Sequence, residues 1–251
     1  MRIAVAGGTG VVGRHVVEAA RGAGHDVVVL SRSVGADVIT GAGLDAALQG
    51  ADAVIDVTNT TTLSAAKAVS FFETATRNLL DAESRAGVGH HVVLSIVGID
   101  AIDASYYAGK LVQERAVAAG SVPFTIARAA QFHEFAGQLL SGMSGPVAAM
   151  PKLLMRPVAA REVGAHLVRV AEAGAVGRAS DLVGPRDEVL VDLARRQLAF
   201  DGVRRRVLGV RLPGAYWRGL ASGSLRGSAD AVQGEVTFDE WLGSEDHVRG
   251  E

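Results

Sequence analysis

Three glycines near the N-terminus constrain the fold of this chain more than any other feature of its sequence. Gly7, Gly10 and Gly13 have the spacing G-x-x-G-x-x-G, directly after the apolar run Arg2–Ala6 and before a helix-like segment. In a strand–turn–helix context, such glycines permit a tight turn, a close approach of the backbone to a pyrophosphate, and packing of the helix on the strand. The helix N-terminus adds N–H groups and partial positive charge. The pattern therefore predicts a phosphate-binding turn of a dinucleotide site.

Short β-branched runs alternate with longer helix-like segments up to about residue 130. Strands are predicted at Arg2–Ala6, Asp26–Leu30, Ala53–Val57, His91–Val97 and Pro123–Arg128. Helices are predicted at Val11–Arg21, Leu44–Gln49, Ser64–Arg85 and Tyr106–Ala119. Continuous apolar strands that alternate with helices are typical of a parallel sheet covered on both faces. The predicted fold class is α/β, a doubly wound Rossmann sheet with helices on both faces.

The segment after Arg128 is less regular. Pro146, Pro151 and Pro157 mark turns, and we interpret residues 141–160 as a loop or lid. Further helices are predicted at Arg161–Ala173, Asp187–Phe200, Gly214–Leu225 and Phe238–Leu242. We expect residues 1–251 to form a single NAD(P)-binding domain, in which 1–130 are the dinucleotide-binding core and 131–251 a small substrate-binding or lid region.

Composition excludes several classes of protein. The chain has no cysteine, so it has no disulfide, thiolate metal site or cysteine nucleophile, and no His, Asp and Glu set has metal-ligand spacing. A net charge of −2 predicts no nucleic-acid partner, and the clusters Arg195–Arg196 and Arg204–Arg206 are interpreted as solvated surface. No apolar run is long enough for a membrane span, and no leader is recognised, so we expect a cytoplasmic protein without a membrane partner.

The residues after the second and third predicted strands bear on the cofactor. Ser31-Arg32-Ser33 stands where an NAD-selecting protein usually has an acidic residue for the ribose hydroxyl. Arg32 can instead bind a 2′-phosphate, which favours NADPH/NADP+, with NADH as the alternative; an ordinary exposed arginine is the other interpretation. Val57 and Thr58 end the third strand at the sheet edge where the cofactor passes, and they are candidate cofactor contacts.

A catalytic constellation is predicted at the fourth strand and the helix that follows it. Tyr106 and Lys110 are i and i+4 on one helical face, so the ammonium can lower the pKa of the phenol and reach ribose hydroxyls. The tyrosine then exchanges a proton with a carbonyl oxygen that the Ser95 hydroxyl holds. Tyr107 is an alternative proton donor. The competing interpretation is that both tyrosines only pack the helix.

These motifs together resemble the atypical and extended short-chain dehydrogenase/reductase superfamily, in its NmrA-like, NAD(P)H-binding branch. The resemblance covers most of the chain. It rests on residues 7–13, Thr76–Ala82, Leu94–Ile99, Tyr106-Tyr107-x-x-Lys110 and Thr125–Phe132.

The resemblance implies a role for each matching residue. Pyrophosphate would be bound by Gly7, Thr9, Gly10, Val11 and Val12, with Gly13 completing the motif. Arg32 would bind the 2′-phosphate, Gln131 and Phe132 would border the nicotinamide, and Ser95, Tyr106 and Lys110 would be the catalytic set. Two positions depart from the family pattern: Thr40-Gly41-Ala42 replaces the usual Gly-Asp near the adenine, and Arg128-Ala129 replaces Arg-Pro.

The sequence leaves three functions open. The first is an NADPH-dependent oxidoreductase that reduces a carbonyl or quinone-type small molecule, or catalyses the reverse oxidation. The second is a non-catalytic NADP(H)-sensing regulatory protein, and the third is an epimerase or flavin/quinone reductase on the same scaffold. His133 is a candidate for facing the substrate, and packing is its more ordinary role. The oligomeric state is expected to be monomer or homodimer.

Overall fold

The computed structural model describes residues 1–102 and 104–247. Its strands are β1 Arg2–Ala6, β2 Asp26–Leu30, β3 Ala53–Asp56, β4 His90–Ile96, β5 Phe124–Ala129, β6 Val147–Pro151, β7 Leu154–Met155, β8 Gly177–Arg178, β9 Leu182–Val183, β10 Glu188–Val189, β11 Arg206–Val210 and β12 Val232–Gln233. Its helices are α1 Val11–Gly22, α2 Leu44–Leu48, α3 Ala65–Ala86, α4 Tyr106–Ala119, α5 Phe135–Ser141, α6 Ala160–Ala173, α7 Leu190–Asp201, α8 Ala215–Ala221 and α9 Phe238–Leu242.

The chain forms two compact units. The first comprises Met1–Ser95, Asp103–Arg128 and Val163–Ser180, and the second comprises Ile96–Ile102, Ala129–Glu162 and Asp181–Glu251. The sequence places one division near residue 130, whereas the structure gives residues 163–180 to the first unit and residues 96–102 to the second.

The first unit contains the predicted parallel sheet. Its strand order is β2-β1-β3-β4-β5, with β8 beside β5, and β1 pairs in parallel with both β2 and β3. The chain therefore leaves β1 on one side toward β2 and returns on the other side at β3. In open α/β sheets, the carboxyl ends at such a switch point form the ligand crevice. The predicted Rossmann sheet with flanking helices is confirmed.

Apolar side chains bury both faces of this sheet. On one face Leu30, Leu44, Leu48 and Leu79 are at most 1% exposed and belong to one cluster. The central strand positions are Val, Ile and Ala, and they are fully buried. Continuous burial of this kind requires helices on both faces, which explains why β1 and β3 read as unbroken apolar runs.

The second unit differs most from the sequence prediction. Residues 141–160 contain β6 and β7, so the prediction of an irregular loop over this segment is wrong, whereas a role as a lid stays a prediction. β6 pairs in parallel with β11, and β7 pairs antiparallel with β10. The partners lie far along the chain, and the prolines that suggested turns stand at or beside strand ends. The helix predicted from Gly214 ends at Ala221, where a short turn follows.

Candidate functional site

The phosphate turn has backbone geometry that only glycine fits at two positions. Gly7 has a φ of +79°, and a Cβ there would lie 2.9 Å from the Val57 carbonyl oxygen. A Cβ on Gly13 would lie 2.1 Å from the Gly7 oxygen and 2.7 Å from the Gly8 Cα. The Gly10 N–H donates to the Gly7 carbonyl at 2.9 Å, which closes the turn. The glycines therefore allow β1, the turn and α1 to approach one another closely.

The N-terminus of α1 fits an anionic group. Its N-cap is Gly10, which makes no side-chain cap, and its first turn contains no acidic residue. The backbone N–H groups of Val11, Val12 and Gly13 therefore have no capping side chain, and Thr9, Gly10 and Val11 are exposed. An uncapped helix start with a partial positive charge is the backbone arrangement that binds phosphate.

Arg32 lies beyond β2 in a single-turn helix, Arg32–Val34, and its side chain is exposed. Among the residues that the structure describes, no carboxylate forms an ion pair with Arg32. The hydroxyls of Ser31 and Ser33 on either side are 2.8 Å apart. An exposed guanidinium without an acidic partner retains its donors for a phosphate.

The loop after Arg32 is held by a residue to which the sequence assigns no separate role. The Asn78 amide on α3 donates to the carbonyls of Val38 and Ile39, at 2.9 and 2.8 Å. Asp37 accepts from the Ile39 N–H at 2.8 Å. These bonds fix the segment that contains Thr40-Gly41-Ala42, the departure from the family pattern.

Two buried hydroxyls without partners lie at the carboxyl ends of β3 and β4. Ser95 is 2% exposed and Thr58 is 6% exposed, and neither hydroxyl has a hydrogen-bond partner among the described residues. Asp56 pairs with Val93 in the parallel register, which continued by two residues places Thr58 opposite Ser95. Buried polar atoms normally have partners, so this orphaned pair at the carboxyl edge of the sheet is a candidate ligand site.

Tyr106 begins α4, and its hydroxyl donates to the Asn59 side-chain oxygen at 2.7 Å. The same oxygen accepts the Thr60 N–H at 2.8 Å. The Tyr106 ring packs edge-on against Phe72, with centroids 5.7 Å apart. Tyr107, the alternative proton donor, is 5% exposed, whereas Tyr106 is half-buried. Asn59 was not singled out from the sequence, because its contact joins elements 47 residues apart.

Lys110 is directed into the protein. It is 4% exposed, and its Nζ donates to the Leu94 carbonyl at 2.6 Å and to the Gln113 side-chain oxygen. Nζ also lies 4.7 Å from the centroid of the Phe72 ring. Burial lowers the pKa of this ammonium to about 8, against the opposing effects of the Asp56 and Glu114 carboxylates. The contacts of Lys110 with Tyr106 and with a cofactor ribose, and with them its catalytic role, stay predictions.

The second unit contains Gln131, Phe132 and His133. Phe132 pairs with Val158 in an isolated parallel bridge, and the Gln131 carbonyl accepts the Val158 N–H at 2.9 Å. His133 is 1% exposed, and its Nε2 lies 2.9 Å from the Val236 carbonyl. Burial lowers its pKa to about 4. His133 therefore lies in the core of its unit, in contact with the rings of Phe238 and Trp241.

Within residues 1–102 and 104–247, no group of three or more His, Asp or Glu side chains could hold a metal ion. None of the helices described is both long and apolar enough to cross a membrane.

The sequence of residues 3–99 matches the model of the NAD dependent epimerase/dehydratase family. The match spans β1 to the end of β4 and includes the phosphate turn. It confirms the predicted resemblance to the extended short-chain dehydrogenase/reductase superfamily over these residues, whereas the NmrA-like branch stays a prediction. No curated protein matches the chain.

Solved structures share the fold along nearly the whole chain. An NADPH-dependent quinone oxidoreductase, QOR2, from Escherichia coli in complex with NADPH is 19% identical, with a TM-score of 0.74 over 96% of this chain and 98% of that one. DesIV, a dTDP-glucose 4,6-dehydratase from Streptomyces venezuelae, is 21% identical, with a TM-score of 0.70 over 92% of this chain and 88% of that one. A short-chain dehydrogenase/reductase superfamily protein from Agrobacterium tumefaciens with bound NAD is 20% identical, with a TM-score of 0.66 over 97% and 95%.

Proposed function

We propose that the protein is an NADPH-dependent oxidoreductase that reduces a carbonyl or quinone-type small molecule. The observation that carries this proposal is the orphaned, buried hydroxyl of Ser95 at the carboxyl end of β4, in the same unit as the phosphate turn and Tyr106. A buried hydroxyl without a partner costs free energy unless a ligand satisfies it, and a substrate oxygen is such a ligand.

The residues of the first unit would hold the cofactor at both phosphate positions. The uncapped start of α1 would bind the pyrophosphate, and Arg32 would bind the 2′-phosphate of NADPH. Val57 and Thr58 border the same turn, because the Val57 carbonyl lies directly against Gly7. Gln131 and Phe132 of the second unit stay candidates for the nicotinamide on the strength of the family resemblance alone.

The reaction divides between cofactor and protein. When bound, NADPH would supply a hydride, to the carbonyl carbon of an aldehyde or ketone or to one carbonyl oxygen of a quinone. The Ser95 hydroxyl would hold the substrate oxygen on which negative charge develops, and the Tyr106 hydroxyl would give that oxygen the proton that completes the alcohol or the hydroquinone. The Lys110 ammonium would contribute positive charge near this site and would stabilise the phenolate that proton transfer leaves on Tyr106. Tyr106 would exchange its bond to Asn59 for one to the substrate oxygen.

The proposal is tested by cofactor titration followed by turnover. We expect NADPH to bind more tightly than NADH, and Arg32→Ala to weaken NADPH by about tenfold or more while NADH changes little, because a charge-assisted bond to phosphate contributes about 1.5–3 kcal/mol. NADPH oxidation is then followed with a panel of quinones and ketones. Tyr106→Phe should lower kcat by about 100-fold or more, whereas Tyr107→Phe should retain kcat. Equal NADPH affinity of the wild type and Arg32→Ala would refute the assignment of Arg32.

A non-catalytic NADP(H) sensor is the second candidate. The supporting observation is that both groups proposed for proton transfer are already hydrogen-bonded within the protein. The Tyr106 hydroxyl is bonded to Asn59, and the Lys110 ammonium is bonded to Leu94 and Gln113. A sensor needs no proton donor, so Tyr106→Phe would leave its cofactor binding intact and no acceptor would be reduced. Dependence of turnover on Tyr106 would exclude it.

A further inference from the structure

We infer that Gln113 is a positioning residue, which couples the Lys110 ammonium to the turn after β3 and through it to the Tyr106 hydroxyl. This inference rests on the proposed oxidoreductase function for its kinetic part. Its structural part concerns a chain of hydrogen bonds within the first unit, and that part can be tested without turnover.

The hydrogen-bond chain runs from α4 to β3 through fully buried atoms. Gln113 and Asp56 are both 0% exposed, and the Gln113 amide donates to Asp56 Oδ2 at 2.9 Å. Asp56 Oδ1 accepts the Thr58 N–H at 2.8 Å. The Gln113 side-chain oxygen accepts from Lys110 Nζ. The oxygen and the nitrogen of the glutamine amide thus each make one of these bonds, and together they link the ammonium to the carboxylate.

The turn that this chain fixes contains the partner of Tyr106. Asn59 follows Thr58 directly, and its side-chain oxygen accepts the Tyr106 hydroxyl. Lys110 also binds the Leu94 carbonyl, which belongs to the peptide that precedes Ser95. One ammonium therefore holds the carboxyl ends of β3 and β4 together, where the orphaned hydroxyls of Thr58 and Ser95 lie. This route would let Tyr106 and Lys110 act together.

The charges around Lys110 explain why a neutral bridge is needed. Asp56 on β3 and Glu114 on α4 both favour the charged ammonium, while burial and the Phe72 ring of α3 surround it with apolar atoms. Glu114 is already paired with Arg128 of β5, at 2.8 and 2.6 Å. His91 on β4 also interacts electrostatically with Asp56, and it is paired with Glu83 of α3. Asp56 is thus linked to the Lys110 cation through Gln113, which makes one hydrogen bond to each without adding charge.

If Gln113 couples Lys110 to the turn after β3, the NMR signals of Lys110, Thr58 and Asn59 should titrate with one midpoint. The chain has three lysines, Lys67, Lys110 and Lys152, so carbon-13 labelling of the lysine Cε gives few signals, and Lys110→Arg assigns the one from Lys110. We expect the Thr58 backbone N–H and the Asn59 side-chain amide to shift with the same midpoint as Lys110, near pH 8. Below this midpoint the ammonium is charged and Asp56 is compensated; above it the turn loses that compensation.

Two substitutions of Gln113 separate its two bonds. Gln113→Met removes both bonds at similar volume, so the Lys110 midpoint should fall and the Thr58 and Asn59 signals should no longer follow it. Gln113→Glu keeps an acceptor for Lys110 but no donor for ionised Asp56, so the midpoint should rise while coupling is again lost. Gln197→Leu, which replaces a buried glutamine of the second unit, is the control and should change neither.

Kinetics supply the functional arm. In the wild type, kcat should fall above the Lys110 midpoint, and in Gln113→Met it should be lower by about tenfold, with KM for NADPH within about twofold. The inference is overturned if the Thr58 and Asn59 signals do not titrate with Lys110, or if they still do so in Gln113→Met. It is also overturned if the pH at which kcat falls does not move with the Lys110 midpoint in the Gln113 variants. Absence of turnover in the wild type would refute the proposed function alone, because the NMR signals would still decide the coupling.

Discussion

At the scale of single residues, the glycines of the phosphate turn were predictable from sequence and the polar chain behind them was not. Gly13 can be assigned because its spacing and context have one physical explanation. Gln113 and Asn59 cannot, since their contacts join elements that meet only after folding. The partners of Lys110 were not predictable either. Its i, i+4 spacing to Tyr106 does not indicate that the buried ammonium binds Leu94 and Gln113.

Gly13→Ala should destabilise the protein by about 3 kcal/mol or more, because the new methyl group would overlap backbone atoms that cannot move independently. The Gly7 oxygen would lie 2.1 Å away. Gly22→Ala is a matched control in the same helix, since a Cβ there meets nothing within 4 Å. It should leave stability unchanged or raise it by about 1 kcal/mol. Urea unfolding measures both, and equal stability of the two variants would contradict the crowding at Gly13.

His133 should make stability depend on pH. The folded protein keeps this side chain neutral down to about pH 4, because burial lowers its pKa, whereas a histidine in the unfolded chain has its ordinary pKa of about 6.5. Its contribution is therefore present above pH 6.5 and is lost as the pH falls towards 4. Between these values the wild type should lose about 3 kcal/mol more unfolding free energy than His133→Gln. Parallel stability curves for the two proteins would show that His133 is not held neutral.

At the scale of elements, the prediction succeeds where local pattern and tertiary environment agree. β1, β2, α4 and α9 have the predicted bounds. α9 begins with a capping box between Thr237 and Glu240, a signal that needs no distant partner to be recognised. β6 and β11 could not be predicted in this way, because they pair with each other in a two-stranded sheet and are far apart in sequence. Their short apolar runs alone do not distinguish a strand from a loop.

The β6–β11 sheet has one buried face and one exposed face, which gives a test on adjacent residues. Val207 is 7% exposed and Leu208 is 51% exposed. Val207→Ala should lower the free energy of unfolding by about 1–3 kcal/mol, because it leaves a cavity. Leu208→Ala deletes a larger side chain but should cost less than about 0.5 kcal/mol. If residues 202–214 formed a mobile loop instead, both substitutions would have the same small effect on chemical denaturation.

At the scale of the whole molecule, the two units are interleaved along the chain. The chain passes from one unit to the other after residues 95, 102, 128, 162 and 180. β4 and β5 each have residues in both units, so unfolding of either strand withdraws residues from both. This connectivity was not predictable from the composition of the chain. It favours one cooperative unfolding transition over two independent ones.

The tryptophans make this cooperativity measurable, because Trp217 and Trp241 both belong to the second unit while the proposed cofactor residues at α1 and Arg32 belong to the first. NADP+ at about 100 times its Kd should stabilise the folded protein by about 2.7 kcal/mol. If the units unfold together, tryptophan emission and circular dichroism will show the same urea midpoint, and NADP+ will raise both equally. Arg32→Ala should reduce the rise at a fixed NADP+ concentration, while Arg206→Ala, an exposed arginine of the second unit, should retain it. Independent unfolding of the units would give a different result. The urea midpoint from tryptophan emission would then not change with NADP+, and the circular dichroism signal would show two transitions.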